Sequence, residues 1–189
     1  MALILTTLPT GEPINLAEAK AHLRLTVNDD DTYISTLIIA ARRAVESRYG
    51  INVLQQSWAM FADAWPADGI FHLSLWPVLS VESLTSYADD DTASVIDPAH
   101  YYLDQATRPP RLALRVGRVF APPGRKINGL KLIFTTGFGA TPSQVPQEIK
   151  QALLAVVADW YQHRGDEQGG TLPPAALELL SAYRNVRLA

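Results

Sequence analysis

The chain has 189 residues, of which 48% are hydrophobic and 19% are charged, a composition typical of a globular protein with one hydrophobic core. A formal net charge of −3 argues against a dedicated nucleic-acid-binding protein, which usually has a strongly basic domain. The absence of cysteine excludes disulfides, thiolate nucleophiles and cysteine-bound metals. No apolar run approaches the roughly 18 residues of a membrane span, so we expect no membrane association.

Two helices are predicted near the start of the chain. The first covers about residues 15–25, with Asn15 as N-cap and Glu18 completing a capping box. After a short link, apolar residues recur at spacings of three and four over about residues 29–49, which predicts an amphipathic helix that ends at Gly50. Residues 28–31, Asn-Asp-Asp-Asp, are expected to cap its start, because their side-chain oxygens can accept the free backbone N–H groups. The charged residues that this pattern places mostly off the buried stripe include Arg42, Arg43 and Glu46.

The pattern changes to alternation over about residues 51–140. Six short apolar runs alternate with turn-forming residues such as Gly, Pro and Asp, and no helical pattern separates them. The dipeptide Asn128-Gly129 is typical of a tight hairpin turn. We therefore expect an antiparallel block that forms a sandwich or a partly closed barrel.

A third helix is predicted over about residues 146–163, where the helical period returns after Pro146. Its apolar face would cover the two N-terminal helices. The predicted fold is therefore α+β, a three-helix core with an inserted β block and a C-terminal tail helix. The expected division is one domain over residues 1–163, followed by a linker and docking tail over residues 164–189.

The tail begins with a segment rich in glycine and proline, which is typical of a linker. A short amphipathic helix is expected after it, within residues 175–188. A tethered apolar segment this short buries little surface by itself, so we expect it to dock on another protein or a neighbouring subunit. A helix folded back on its own domain is the alternative.

Positive charge is concentrated between residues 105 and 147, where no acidic residue occurs. One interpretation is that these bases lie on solvated strand edges and loops. The other is a basic face toward an acidic partner or toward passing DNA, whose phosphates would be contacted without sequence readout. The basic residues are Arg108, Arg111, Arg115, Arg118, Arg125, Lys126 and Lys131.

The sequence contains no recognisable catalytic or ligand-binding motif. The four histidines lie on separate predicted elements without the spacing of a helical zinc site. Residues 89–91 begin like a calcium loop, but the positions of its central glycine and final glutamate hold Ser94 and His100. Nucleophile-elbow, phosphate-loop and zinc-protease motifs are missing. We therefore expect no catalytic residues, no cofactor and no metal.

Several segments together carry a family resemblance. They resemble the head–tail connector, or adaptor, proteins of tailed bacteriophages and gene transfer agents, in order and spacing, over most of the chain. One departure is Phe120, where family members often have tryptophan near the double-proline turn. The segments are LAEAKAHLRL, DDDTYISTLIIAARRAVESRYG, QQSW, LWPVLSVESLTSY, DPAHYYLD, PPRL, FTTGFG and VPQEIKQALLAVVADWYQHRGD.

The resemblance implies a non-enzymatic protein that forms a ring of twelve copies beneath the portal. Its implied partners are the portal, a tail-side stopper or tail terminator protein, and DNA that passes through the channel without sequence-specific contacts. The implied location is the head–tail junction of a virion or phage-like particle, assembled in the bacterial cytoplasm. On this basis the expected subunit contacts are Arg42, Arg43 and Glu46. The expected contacts with the portal or a neighbour are Leu179, Tyr183, Arg184, Val186, Arg187 and Leu188.

Two other functions stay open from the sequence. One is a nucleic-acid-binding module that uses the basic block of residues 108–131. The other is a hydrolase assembled from scattered aspartates and histidines, which would require a pocket where perturbed ionisable groups converge.

Overall fold

The computed structural model describes residues 1–117, 120–164 and 171–184. The chain divides into two compact units. The strand unit comprises Met1–Leu8 and Gln55–Gly137, and the helical unit comprises Pro9–Leu54 and Phe138–Ala189. The boundary expected at residue 163 stays a prediction.

The helical unit contains four α-helices in its described part. They are α1 (Leu16–Leu23), α2 (Asp31–Tyr49), α3 (Gln147–Gln162) and α4 (Pro174–Leu179). The predicted capping box of α1 is present, because Asn15 Oδ1 accepts the Glu18 backbone N–H and the Glu18 carboxylate accepts the Asn15 N–H. Helix α2 ends at Gly50 in the left-handed conformation, as predicted.

The core of the helical unit lies where α1, α2 and α3 meet. Helix α2 packs against α3, and α1 contacts both. The apolar residues that repeat at helical spacing are those that become buried, as the hydrophobic period predicts. Buried residues of α2 are Ile34, Leu37, Ile38, Ala41, Arg42, Val45 and Tyr49, and those of α3 are Ile149, Ala152, Leu153, Val156 and Val157.

The described residues of the strand unit form two antiparallel sheets. The first has the order β1-β2-β8-β4-β5 and the second the order β3-β7-β6. The strands are β1 (Ala2–Thr7), β2 (Gln56–Ala62), β3 (Ile70–His72), β4 (Val78–Tyr87), β5 (Ala93–Val95), β6 (Tyr101–Asp104), β7 (Arg111–Leu114) and β8 (Leu130–Thr136). The α+β class is therefore confirmed, and the sheets are open rather than closed into a barrel.

The core of the strand unit is built from alternate residues of these strands. Met60 on β2, Leu132 on β8 and Leu84 on β4 belong to one buried cluster, which also includes Phe71 and Leu112 of the second sheet. Strands β2 and β8 thus turn alternate side chains toward this cluster, which is the alternation seen in the sequence, whereas β5 buries none of its side chains.

Three features of the strand unit differ from the sequence expectation. Strands β1 and β5 were not predicted. Strand β1 pairs with β2, so the block includes the start of the chain and is not a simple insertion. Residues 128–129 do not form a hairpin turn, because β7 and β8 on either side belong to different sheets. Asn128 does adopt a positive φ of 54°, and its N–H is held by Asp63.

Within the helical unit, the segment that precedes β2 lies beside the segment that follows β8. The N–H of Phe138 donates to the carbonyl of Val53 at 3.4 Å, and the N–H of Val53 donates to the carboxylate of Glu46 at 2.9 Å. The two segments are therefore joined to each other and to α2.

Candidate functional site

Arg42 is the buried charge at the centre of α2. Its side chain is held by Glu12 through two hydrogen bonds of 2.7 and 3.0 Å and by Glu46 at 2.8 Å. Burial lowers the pKa of Arg42, but the hydrogen bond with Glu12 and the charges of Glu46 and Glu12 outweigh this effect and raise the pKa above its ordinary value. The guanidinium therefore stays charged and fully engaged inside its own unit.

This arrangement changes the interpretation of the predicted subunit contacts on α2. Arg42 is only 4% exposed, so the expectation that it lies off the buried stripe is wrong, and Glu46 is engaged by it. Glu12, thirty residues away in the chain, supplies the counter-charge that makes burial of Arg42 possible. Arg43 is exposed and stays a predicted subunit contact.

The basic block of residues 105–147 does not form a row of unpaired charges. Arg111 forms an ion pair with Asp104 at 2.6 Å, and Arg125 forms one with Asp91 at 2.6 Å. The hydrogen bond from Arg111, followed by that from the Ala106 N–H, lowers the pKa of Asp104. Two of the seven bases are thus neutralised by acids that precede the block in the sequence.

Other bases of the block lie against aromatic rings. The guanidinium carbon of Arg108 is 3.7 Å from the ring centroid of Trp76, and that of Arg115 is 5.6 Å from Tyr102. Lys126 is exposed and Lys131 is half-buried on β8, whereas Arg118 lies outside the described residues. The charges that the sequence brings together are therefore distributed over β7, β8 and loops of the strand unit, which argues against one dedicated basic face.

The C-terminal segment of residues 171–184 folds onto its own unit. Helix α4 packs against α3, with Ala176 and Leu180 fully buried. The indole N–H of Trp160 donates to the Thr171 carbonyl at 2.8 Å, and the Tyr183 ring contacts Phe138 edge to face. This is the alternative weighed from the sequence, and the burial of Leu180 is its physical reason.

The predicted docking residues of the tail have different positions. Leu179 and Arg184 are exposed, and Tyr183 is half-buried. Val186, Arg187 and Leu188 lie outside the described residues. Docking on a portal or neighbour stays a prediction for this set.

A polar cluster that the sequence did not reveal joins the start of α2 to the end of α3. The Tyr161 hydroxyl donates to Asp30, Arg164 lies 3.2 Å from the same carboxylate, and the Tyr33 ring is 6.2 Å from that of Tyr161. The Tyr161 hydrogen bond, together with the charge of Arg164, lowers the pKa of Asp30 against the opposing effect of burial. Asp30 was assigned to helix capping, but its side chain makes this tertiary contact instead.

One open groove of about 400 Å³ lies in the strand unit. Trp65, Phe120 and Pro122 line it, and Asp89 is the one carboxylate among its lining residues. This groove does not bring together the acid–base pair that a hydrolase requires. Within residues 1–117, 120–164 and 171–184 no group of three potential metal-ligating side chains occurs, and no helix has the length and apolar character needed to cross a membrane.

Known proteins that are similar to this chain are phage connector proteins and components of gene transfer agent particles. A family model described as phage gp6-like head-tail connector proteins matches residues 13–70. No curated protein matches the sequence. A chain from the neck of an empty gene transfer agent (GTA) particle, computed with C6 symmetry, is 25% identical, with a TM-score of 0.86 over 100% of this chain and 98% of that one.

Two further structures are similar over the same shares of both chains. One is a chain in the virion of a native GTA particle, with 24% identity and a TM-score of 0.85. The other is a chain in the neck of a native GTA particle computed with C12 symmetry, with 23% identity and a TM-score of 0.83. At these identities the two matches establish a shared fold.

Proposed function

Because this chain is a head–tail connector protein of the phage or gene transfer agent type, with a structural and non-enzymatic role, we propose that it forms a ring beneath the portal. The ring would join the DNA-filled head to the tail and leave a channel for DNA. The observation that carries this proposal is the 25% identity and full-length similarity to a chain from the neck of a gene transfer agent particle.

The proposed ring has twelve copies related by rotation. Neck structures computed with C6 and C12 symmetry support a repeated arrangement of similar chains. In such a ring, one flank of each copy meets a different flank of the next, which is a heterologous contact that closes. The exposed side chain of Arg43 is a candidate for this contact.

The proposed partners are the portal on the head side and a stopper or tail terminator protein on the tail side. Leu179 and Arg184 are exposed on the folded C-terminal segment, so they are available for a portal or neighbour contact without unfolding of α4. DNA would pass without sequence-specific contacts. Basic side chains of residues 108–131 that are exposed, such as Lys126, would attract the phosphates, which carry no sequence information.

The mass of the protein in solution, alone and with its portal, tests this function. Native mass spectrometry should detect a closed ring of twelve copies, either in the isolated protein or when the portal is added as template. A strictly two-fold dimer under both conditions, or the absence of any complex with the portal, would contradict the proposal.

The second candidate is a nucleic-acid-binding module that uses residues 108–131. It predicts an affinity that falls steeply as salt is raised. Ion pairing of Arg111 and Arg125 with acids of the same unit argues against it, because each pair reduces the charge available to phosphate. A filter-binding titration with double-stranded DNA distinguishes the two, since a connector needs no tight complex in solution.

A further inference from the structure

The four edge strands of the two sheets are protected to different degrees. Strand β3 has three residues and ends at exposed His72, and β6 ends at Asp104 in its ion pair with Arg111. Strand β5 also has three residues and follows the acidic turn of residues 89–91. Short length and charge are the usual means by which proteins prevent an edge from pairing with another chain.

Strand β1 lacks both of these protections. It has six residues, ALILTT, without charge or proline, and it forms the outer edge of the five-stranded sheet. Its residues 2–5 pair regularly with β2, and an irregularity interrupts the register between Leu5 and Thr7. On its other side no strand of the described chain is paired, so alternate backbone N–H and C=O groups of residues 2–5 face outward.

The side chains of β1 reinforce this property. Ile4 is 54% exposed, and Leu8 just beyond the strand is also exposed. A regular, uncharged and partly apolar edge binds extended peptide by backbone pairing, with the side chains adding apolar contact. It also creates an aggregation hazard unless the assembled state covers it.

We propose that β1 is a subunit-contact edge, to which an extended segment of the neighbouring copy adds as a further strand. This inference rests on the proposed ring. The chains that this one resembles come from neck structures computed with C6 and C12 symmetry, so a second copy related by rotation is the partner that fits this edge, and each pairing would cover one copy of β1. Backbone pairing along an uncharged edge also needs no complementary charge on the partner, and Ile4 would add apolar contact to it.

Hydrogen exchange of the wild-type protein tests the pairing directly. The outward-facing amides among residues 2–5 should exchange at least about tenfold more slowly in the ring, formed alone or on the portal, than in the monomer, whereas those that already pair with β2 are protected in both. Amides of Tyr101–Asp104 on the charged edge β6 provide the internal control and should not change. Rings in which the outward-facing amides of residues 2–5 exchange as fast as in the monomer would overturn the inference.

A pair of charge variants provides the second arm. Ile4→Lys should raise the protein concentration needed for half-maximal ring assembly at least about tenfold, because it places an unpaired charge in the contact. Val95→Lys places the same charge on β5, the opposite edge of the same sheet, at a side chain that is 67% exposed, and should assemble like wild type. Melting temperatures equal to that of the wild type would establish that both variants are folded. If Ile4→Lys does not fold, Ile4→Thr is used in its place.

The outcomes separate this inference from the proposed function. Wild-type rings together with unimpaired assembly of the folded Ile4 variant refute the edge contact and leave the connector role intact. Failure of the wild-type chain to form a ring under any condition refutes both.

Discussion

Replacement of Arg42 should destabilise the helical unit more than any replacement of an exposed charge. In Arg42→Ala, three charge-assisted hydrogen bonds disappear, and the Glu46 carboxylate, 11% exposed, loses the guanidinium that balances its charge, although other contacts such as the hydrogen bond from the Val53 N–H remain. Breaking a buried ion pair costs roughly 3 to 5 kcal/mol. Glu12 is 25% exposed and can regain water, which places the expected loss near the lower end, at about 3 kcal/mol.

Urea unfolding followed by far-ultraviolet circular dichroism measures this loss. Arg43→Ala is the matched control, because its side chain is exposed one position along the same helix, and it should change the free energy of unfolding by less than about 0.5 kcal/mol. Arg42→Lys should fall between the two, since it keeps the charge but loses the bidentate contact with Glu12. A loss below about 1 kcal/mol for Arg42→Ala would refute the reasoning that removal of the guanidinium leaves a desolvated carboxylate without its counter-charge.

Three further predictions concern residues of the same unit. Ile38→Ala should lower the free energy of unfolding by about 2 to 5 kcal/mol, because it opens a cavity where α2 is buried, and an unchanged urea midpoint would remove α2 from the core. Asp30→Asn should destabilise the protein at pH 7, and its difference from wild type should shrink as the pH falls below about 4. A carboxylate with a lowered pKa contributes stability above the pKa of the unfolded state and loses it on protonation, so parallel stability-versus-pH curves for variant and wild type would contradict this prediction. Tyr49→Phe should be neutral or stabilising by up to about 1 kcal/mol, since the buried Tyr49 hydroxyl has no hydrogen-bond partner among the described residues, and a clear loss of stability would reveal one.

The parts of the fold that depend on neighbouring residues were predictable from the sequence. The capping box at Asn15 and the left-handed end of α2 at Gly50 are each encoded within a few positions. The resemblance to connector proteins was also recognisable from several weak segments in their order, and a family model of head-tail connectors matches residues 13–70. In each case the feature is encoded by residues close together in the chain or by the order of segments along it.

The parts that were missed depend on distant residues. Strand β1 is a strand because β2, more than fifty positions later, pairs with it. Arg42 looked exposed because a helical period records side-chain direction and not the approach of Glu12. Asp30 was expected to cap the helix, but its side chain instead contacts Tyr161, which lies 131 positions away in the chain. A sequence pattern within one helix or strand therefore predicts the geometry of that element, but not which side chains from distant parts of the chain contact it.

The hydrogen bond between Phe138 and Val53 has a practical consequence for the architecture of the chain. Because the polypeptide leaves the helical unit and returns to it at adjoining backbone positions, a glycine linker of a few residues could replace everything between them. Residues 1–8 also belong to the strand unit, so the helical unit would then be expressed as a shortened polypeptide that begins at Pro9. A strand block from another connector, spliced in at the same two positions, would have to replace residues 1–8 as well, because β1 pairs with β2. The junction and the link between Leu8 and Pro9 thus mark the splice points of the chain for building chimeric connectors.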